Sequence, residues 1–173
     1  MSRGRIQKMA LTAMFAALIA VFSQLTIPSP SGMPLTLQTF IVAMTGFSSG
    51  AKPGTAAVGA YIAVGAVGVP VFSSFQGGLG ALFGPTGGFI FGFTALAFFC
   101  GIKTEKIILR IVYALSGLII CHICGILWFS LTSGSIMSAF ISASLPYIPK
   151  DILSVILAGI FSKKVAFIVQ KLN

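Results

Sequence analysis

Long apolar runs, separated by short segments rich in glycine, proline and serine, make up most of the chain. Six runs carry little or no charge, and they lie at about residues 9–27, 35–51, 54–71, 86–102, 108–131 and 149–172. Each is close to the length that a helix needs to cross a bilayer. The pattern predicts an all-α integral membrane protein with six transmembrane helices, in a single domain that spans residues 1–173.

The composition supports the lipid bilayer as the solvent. The chain is 57% hydrophobic and only 8% charged, with a mean hydropathy of +1.06, whereas soluble domains contain about 25% charged residues. The first run follows a basic start, as in a signal peptide, but it is long enough to span a bilayer and shows no clear cleavage site. We interpret it as a retained first helix.

The net charge of +9 does not indicate nucleic acid, because the basic residues are scattered between apolar runs. The positive-inside rule makes the side that is rich in basic residues cytoplasmic. Ten of the eleven basic residues fall on that side: Arg3, Arg5, Lys8, Lys52, Lys103, Lys106, Arg110, Lys163, Lys164 and Lys171. Both termini are therefore predicted to be cytoplasmic, and the glycine-rich loop between helices 3 and 4 to be external.

That loop, "GGLGALFGPTGGF" at residues 77–89, has two open interpretations. Close packing of helices through small residues would account for Gly88 and Gly92, which are four residues apart. A small-molecule pocket would account for the aromatic and amide groups that precede the glycines, namely Phe72, Phe75 and Gln76. A phosphate-binding loop is excluded, because residues 77–92 contain no lysine.

Asp151 is predicted to lie within the membrane. It precedes Lys163 by twelve residues, or about 18 Å of helix, whereas the hydrocarbon layer is about 30 Å thick. A carboxylate at that depth is costly and usually has a partner and a function. The alternative is that Asp151 only caps the start of a helix. Lys150 is adjacent in sequence and is expected to point to another face.

Three further motifs lie within or beside the apolar runs. Two alanine pairs in the first run, Ala13/Ala17 and Ala16/Ala20, fit a partner helix and internal packing equally well. Cys121 and Cys124 flank the lone His122 in an incomplete metal-ligand set, which predicts no metal site. A serine protease using His122 with Ser133 or Ser135 is disfavoured, because the histidine lies mid-span and the serines lie beyond the end of the run.

Three segments of the chain form a recognisable set: "PLTLQTF", "GAVGVPVFSSFQGGLGALFGPTGGFIFGF" and "LPYIPKDILSVILAGI". Together they resemble the BioY family, the biotin-specific S components of energy-coupling factor transporters in bacteria. The resemblance implies a six-helix protein of the bacterial cytoplasmic membrane that captures biotin from outside. It also implies two kinds of partner, a transmembrane T component and two cytoplasmic ATPases, with Ala13/Ala17 as the best match to the contact strip on helix one.

The resemblance also makes Asp151 a ligand-binding position, although Ser154 stands where relatives often carry a lysine. Asp151 can accept hydrogen bonds from the ureido N–H groups of biotin, and Gln38 or Gln76 can both donate and accept. Phe72 and Phe75 can cover the apolar body of the ligand. The expected substrate-binding set is completed by Lys150, Gly78 and Thr86. No catalytic residues or cofactors are expected, and the alternative function is an intramembrane enzyme or channel for another small molecule.

Overall fold

The computed structural model describes residues 3–28 and 34–172, so part of the predicted loop at 27–34 lies outside the described residues. Six longer helices occupy the six apolar runs: α1 (Arg3–Ser23), α2 (Gln38–Ser49), α3 (Ala51–Ala66), α5 (Gly87–Cys100), α6 (Ile107–Ser133) and α8 (Ile148–Leu172). Shorter elements connect them: β1 (Thr26–Ile27), β2 (Leu35–Thr36), α4 (Leu79–Leu82) and α7 (Ile136–Ala139), which continues into a π-helical turn, Phe140–Ser144. The two strands pair antiparallel, with Thr26 opposite Thr36.

The helices differ in whether they are long enough to cross a bilayer. Within the described residues, Gly4–Ser23 and Ile107–Ser133 are long and apolar enough to do so. A third candidate is the pair Ile136–Ser144 and Ile148–Phe167, which is bent by 51°. Helices α2, α3 and α5 have 12, 16 and 14 residues, fewer than the roughly 20 that a span needs. The structure is therefore that of a mostly helical membrane protein, and the count of six spans stays a prediction.

Glycine residues set several of the boundaries between helices. Gly50 separates α2 from α3 with a φ of 92°, a conformation that other residues rarely adopt. Gly134 ends α6 in the left-handed region, and its N–H donates to the Ser130 carbonyl at 2.9 Å, as in a common C-terminal cap. These turns fold α2 back to α3 and carry α6 into α7.

The core is formed by pairs of helices in close contact. Helix α5 packs along α6, α2 along α8, and α1 along α3. Gly88 and Gly92 face α6 so closely that a Cβ atom on Gly88 would collide with Trp128 and the Cys124 carbonyl, and one on Gly92 would lie 2.8 Å from Cys121 Cα. These two glycines therefore serve helix packing, because the absence of a side chain allows α5 to lie against α6.

The segment before α5 is held to the rest of the fold by two sets of hydrogen bonds. Trp128 Nε1 donates to the Gly84 carbonyl at 3.0 Å, and its ring stacks on Phe83. Upstream, Ser74 and Phe75 both have a φ of 58°, and Gln24 anchors this turn by accepting from the Phe75 N–H at 2.9 Å and donating to the Phe72 carbonyl at 3.0 Å. The turn is therefore fixed to the end of α1.

The two alanine pairs of α1 lie on different faces. Ala13 and Ala17 are exposed, whereas Ala16 and Ala20 are half-buried and pack against the core. Internal packing therefore accounts for the second pair, and the first pair is open to a partner or to lipid.

A pair of glycine variants tests the packing of α5 on α6. We expect Gly88→Ala to lower the free energy of unfolding by about 1–3 kcal/mol, because the added methyl group has to displace Trp128 and the α6 backbone. Gly59→Ala is the matched control, since a Cβ on this exposed α3 glycine meets nothing within 4 Å. It should leave stability unchanged or raise it by up to about 1 kcal/mol. Thermal unfolding of the purified protein in detergent measures both, and equal losses would contradict the close contact.

Candidate functional site

A small cavity of about 70 Å³ lies where β2, α2, α5, α6 and α8 converge. Its apolar wall comes mainly from α5 and α6 and includes Phe89, Ile90, Phe93 and Leu118. Its polar side chains come from all sides of the cavity: Thr36, Gln38, Thr39, Ser73, Thr86, His122, Tyr147, Lys150 and Asp151. An apolar wall with a few converging polar groups is the usual form of a small-molecule site.

The Asp151 carboxylate is the buried charge of this cavity, with only 6% of the residue exposed. Its Oδ2 lies 3.3 Å from His122 Nε2, and its Oδ1 lies 2.5 Å from Lys150 Nζ. Oδ1 nevertheless accepts no well-aligned hydrogen bond from the described residues. The carboxylate thus contacts side chains of α6 and α8 rather than capping its own helix. Because each carboxylate oxygen has two lone pairs, Oδ1 can accept from a ligand in addition to its contact with Lys150.

His122 links Asp151 to a third buried residue. Its Nδ1 lies 2.7 Å from Ser144 Oγ, on the π-helical turn. If the serine hydroxyl donates to Nδ1, the ring proton is on Nε2 and faces Asp151, an assignment that rests on the hydrogen-bond pattern. Phe89 meets the imidazole edge-on at 5.9 Å between ring centroids. The histidine is therefore fixed on both sides.

A serine, a histidine and an aspartate in a row resemble a hydrolase triad, but the geometry does not support catalysis. Ser144 has no exposed surface, and it lies on the far side of His122 from the cavity that the other two residues line. A nucleophile must reach the substrate. The row of three residues is better explained as a support that orients the Asp151 carboxylate.

Lys150 differs from the expectation that it points to another face of the helix. Its long side chain curls back, so that Nζ contacts Asp151 and also donates to the Thr36 carbonyl at 3.0 Å. This hydrogen bond connects α8 to β2 across the edge of the cavity. Because binding sites for small molecules usually exceed about 300 Å³, a ligand of ordinary size requires this cavity to widen.

Gln38 is positioned by two hydrogen bonds at the start of α2. Its Nε2 donates to Tyr61 Oη at 2.8 Å, and its Oε1 accepts from Thr36 Oγ1 at 3.2 Å. An amide has two donor hydrogens and two acceptor lone pairs. One donor and one acceptor therefore remain for a ligand.

The structure brings together only half of the expected substrate-binding set. Asp151, Lys150, Gln38 and Thr86 line the cavity. Four others do not: Phe72 is buried in the core against Tyr61, Phe75 is 71% exposed, Gln76 is exposed, and Gly78 forms an open turn with a φ of 82°.

Several residues of the cavity were not selected from the sequence. His122 was considered only as a metal ligand or protease residue, although an intramembrane aspartate requires a partner and the chain contains one histidine. That signal could have identified it. Thr36, Thr39 and Tyr147 carry no comparable signal, because hydroxyl groups near helix ends are common.

Comparisons with known proteins agree on one family. A family model described as "BioY family" matches residues 1–171. The chain is 35% identical over 160 residues to a probable biotin transporter BioY of Pyrococcus horikoshii, which covers 92% of this chain and 96% of the relative. It is 32% identical to the biotin transporter BioY of Thermotoga maritima, over 91% of this chain and 94% of the relative.

A solved structure has the same fold. The crystal structure of the S component for biotin from an ECF-type ABC transporter superposes with a TM-score of 0.84 at 26% identity. The match covers 95% of this chain and 94% of the other. Sequence and structure therefore point to the same group of proteins.

Proposed function

This chain belongs to the BioY family, and on that premise we propose that it is the biotin-binding S component of an ECF-type vitamin uptake transporter. It is a transport protein and not an enzyme, and biotin is its ligand rather than a cofactor. The observation that carries the choice of site is the buried Asp151 carboxylate, which lines the cavity and is paired there with Lys150 and His122.

The ion pair of Asp151 with Lys150 suits the ureido group of biotin. That group places an N–H donor beside a C=O acceptor. Asp151 Oδ1 and Lys150 Nζ lie side by side at 2.5 Å, so that one can accept from the N–H while the other donates to the carbonyl oxygen. The Gln38 amide adds a second donor and acceptor, and Phe89 and Phe93 cover the apolar rings of the ligand.

Uptake of biotin depends on how the protein sits in the membrane and on its partner proteins. The protein spans the cytoplasmic membrane of a bacterial cell six times, with both termini in the cytoplasm and the glycine-rich loop outside. It delivers biotin in a complex with a transmembrane T component and two cytoplasmic ABC-type ATPases. The exposed Ala13/Ala17 pair of α1 is the contact strip for the T component, because small side chains let a second helix approach closely.

Biotin binding tests the function directly. Purified protein in detergent should retain radiolabelled biotin, and an excess of unlabelled biotin should displace it. Folded protein that binds no biotin would overturn the proposal, and turnover of the ligand into a product would favour an enzyme instead.

Asp151→Asn tests the site. It replaces one carboxylate oxygen by an N–H donor, which would face the ureido N–H groups. The loss of a charge-assisted hydrogen bond should cost about 2–4 kcal/mol, or about a 30- to 1000-fold weaker Kd. A change in Kd below about threefold would indicate that the Asp151 carboxylate does not contact biotin.

The two glutamines make a matched pair of variants. Gln38→Leu should weaken biotin binding by about tenfold, because it removes a buried amide that lines the cavity. Gln76→Leu should change Kd by less than about twofold, since this side chain is exposed and outside the cavity. The opposite order in the same titration would place the ligand against the turn before α4.

Tryptophan variants of the alanine pairs test the partner surface. Ala13→Trp or Ala17→Trp should leave biotin binding by the isolated protein intact but impair uptake by the assembled transporter, since the ring holds a partner helix away. Ala16→Trp is the control, and it should lower the thermal stability of the isolated protein because Ala16 packs against the core. Normal uptake by the Ala13 and Ala17 variants would show that this face contacts lipid.

A further inference from the structure

A second, larger cavity lies between α6 and α8, apart from the biotin site. It is a groove of about 480 Å³ that shares no lining residue with the first cavity. One stripe of each helix forms its walls: Ile107, Ile111 and Leu115 on α6, and Ile152, Ile156 and Ile160 on α8. These six side chains are between 37% and 64% exposed, so the groove is open and almost entirely aliphatic.

Two cations border the groove at one end. Arg110 lies near the start of α6, and Lys163 lies on the antiparallel stretch of α8 beside it. The two helices meet there through Arg110 Nη2, which donates to Ser162 Oγ at 3.0 Å. The positive charges are therefore concentrated at one end of the apolar groove.

Arg110 has unused capacity for an anion. Its guanidinium lies over the Phe47 ring, with Cζ at 4.7 Å from the centroid, and makes one hydrogen bond with the described residues. A guanidinium carries five N–H donors. The ion pairs among the described residues both involve Asp151, and the only other acidic residue in the whole chain is Glu105. Among the described residues, neither Arg110 nor Lys163 therefore forms an ion pair with a carboxylate.

An anionic phospholipid matches both parts of the groove. Arginine forms paired hydrogen bonds with phosphate, basic pockets between membrane helices bind anionic head groups, and an aliphatic groove accepts an acyl chain. We propose that this groove is a binding site for one anionic phospholipid, with its phosphate between Arg110 and Lys163 and an acyl chain between the aliphatic stripes of α6 and α8.

Lipid selectivity tests the proposal on full-length protein purified in detergent. Native mass spectrometry with dioleoylphosphatidylglycerol and dioleoylphosphatidylcholine compares two head groups on the same acyl chains. We expect the anionic lipid to bind about tenfold more tightly. Arg110→Gln, which can still donate to Ser162, and Lys163→Gln should each remove most of that preference. Lys164→Gln is the matched control, since Lys164 is the next residue and does not line the groove, and it should keep the preference.

The acyl part is tested separately. Gly159→Leu adds a side chain inside the groove, where the nearest atom to a new Cβ is Phe47 Cε2 at 3.7 Å, so the fold can accept it. This variant should weaken the binding of both lipids. Thermal unfolding and biotin binding should be unchanged by all four substitutions, which checks the fold independently of lipid.

Each other outcome overturns the proposal. Equal binding of the two lipids would show general adsorption to a basic surface. The same conclusion would follow if Lys164→Gln lost as much of the preference for the anionic lipid as Arg110→Gln and Lys163→Gln. Stabilisation by glycerol phosphate alone to the same extent as by the lipid would assign the cations to a soluble anion. If the Arg110, Lys163 and Gly159 variants bind both lipids unchanged but assemble less well into the transporter, the groove is a protein interface.

Discussion

The need to compensate the Asp151 carboxylate constrains the rest of the site. A charge removed from water must find opposite charge or hydrogen-bond donors nearby, and removing one partner of such a buried pair typically costs about 3–5 kcal/mol. Here the donors come from two different helices, His122 on α6 and Lys150 on α8. Ser144 on the π-helical turn supports the histidine in its turn. The relative positions of α6, this turn and α8 are therefore tied to one carboxylate.

The glycines contribute to this site mainly by what they allow to pack beside them. A Cβ on Gly125 would collide with the Phe89 ring, and it is this ring that meets His122 edge-on. Gly88 and Gly92 likewise let α5 approach α6. Most of the glycine-rich segment thus lies outside the cavity wall. Glycines contribute to the site because Gly88, Gly92 and Gly125 allow α5 and α6, which form the wall, to pack closely.

The features that could be predicted from the sequence were those that a short stretch of residues determines. Apolar runs located every long helix, and a single carboxylate inside such a run identified Asp151. Interactions between residues far apart in sequence were harder to predict. His122 and Asp151, for example, lie 29 positions apart. Gln38 and Gln76 could not be ranked from sequence, because only the fold turns one inward and leaves the other on the surface. The direction of Lys150 was misjudged because helical angles describe Cβ positions, whereas a lysine tip is four bonds further on.

The end of helix α1 is hydrogen-bonded to the turn that precedes α4. Ser23 and Gln24, at its end, hold the carbonyls of Val71 and Phe72 and the N–H of Phe75, and the neighbouring Ser73 reaches the cavity. Ser74 and Phe75 in this turn both have left-handed backbone conformations, which persist only where the surrounding contacts hold them in place. Because the neighbouring Ser73 lines the cavity, a tilt of the helix that carries the exposed Ala13/Ala17 pair would also shift the cavity wall beside Ser73.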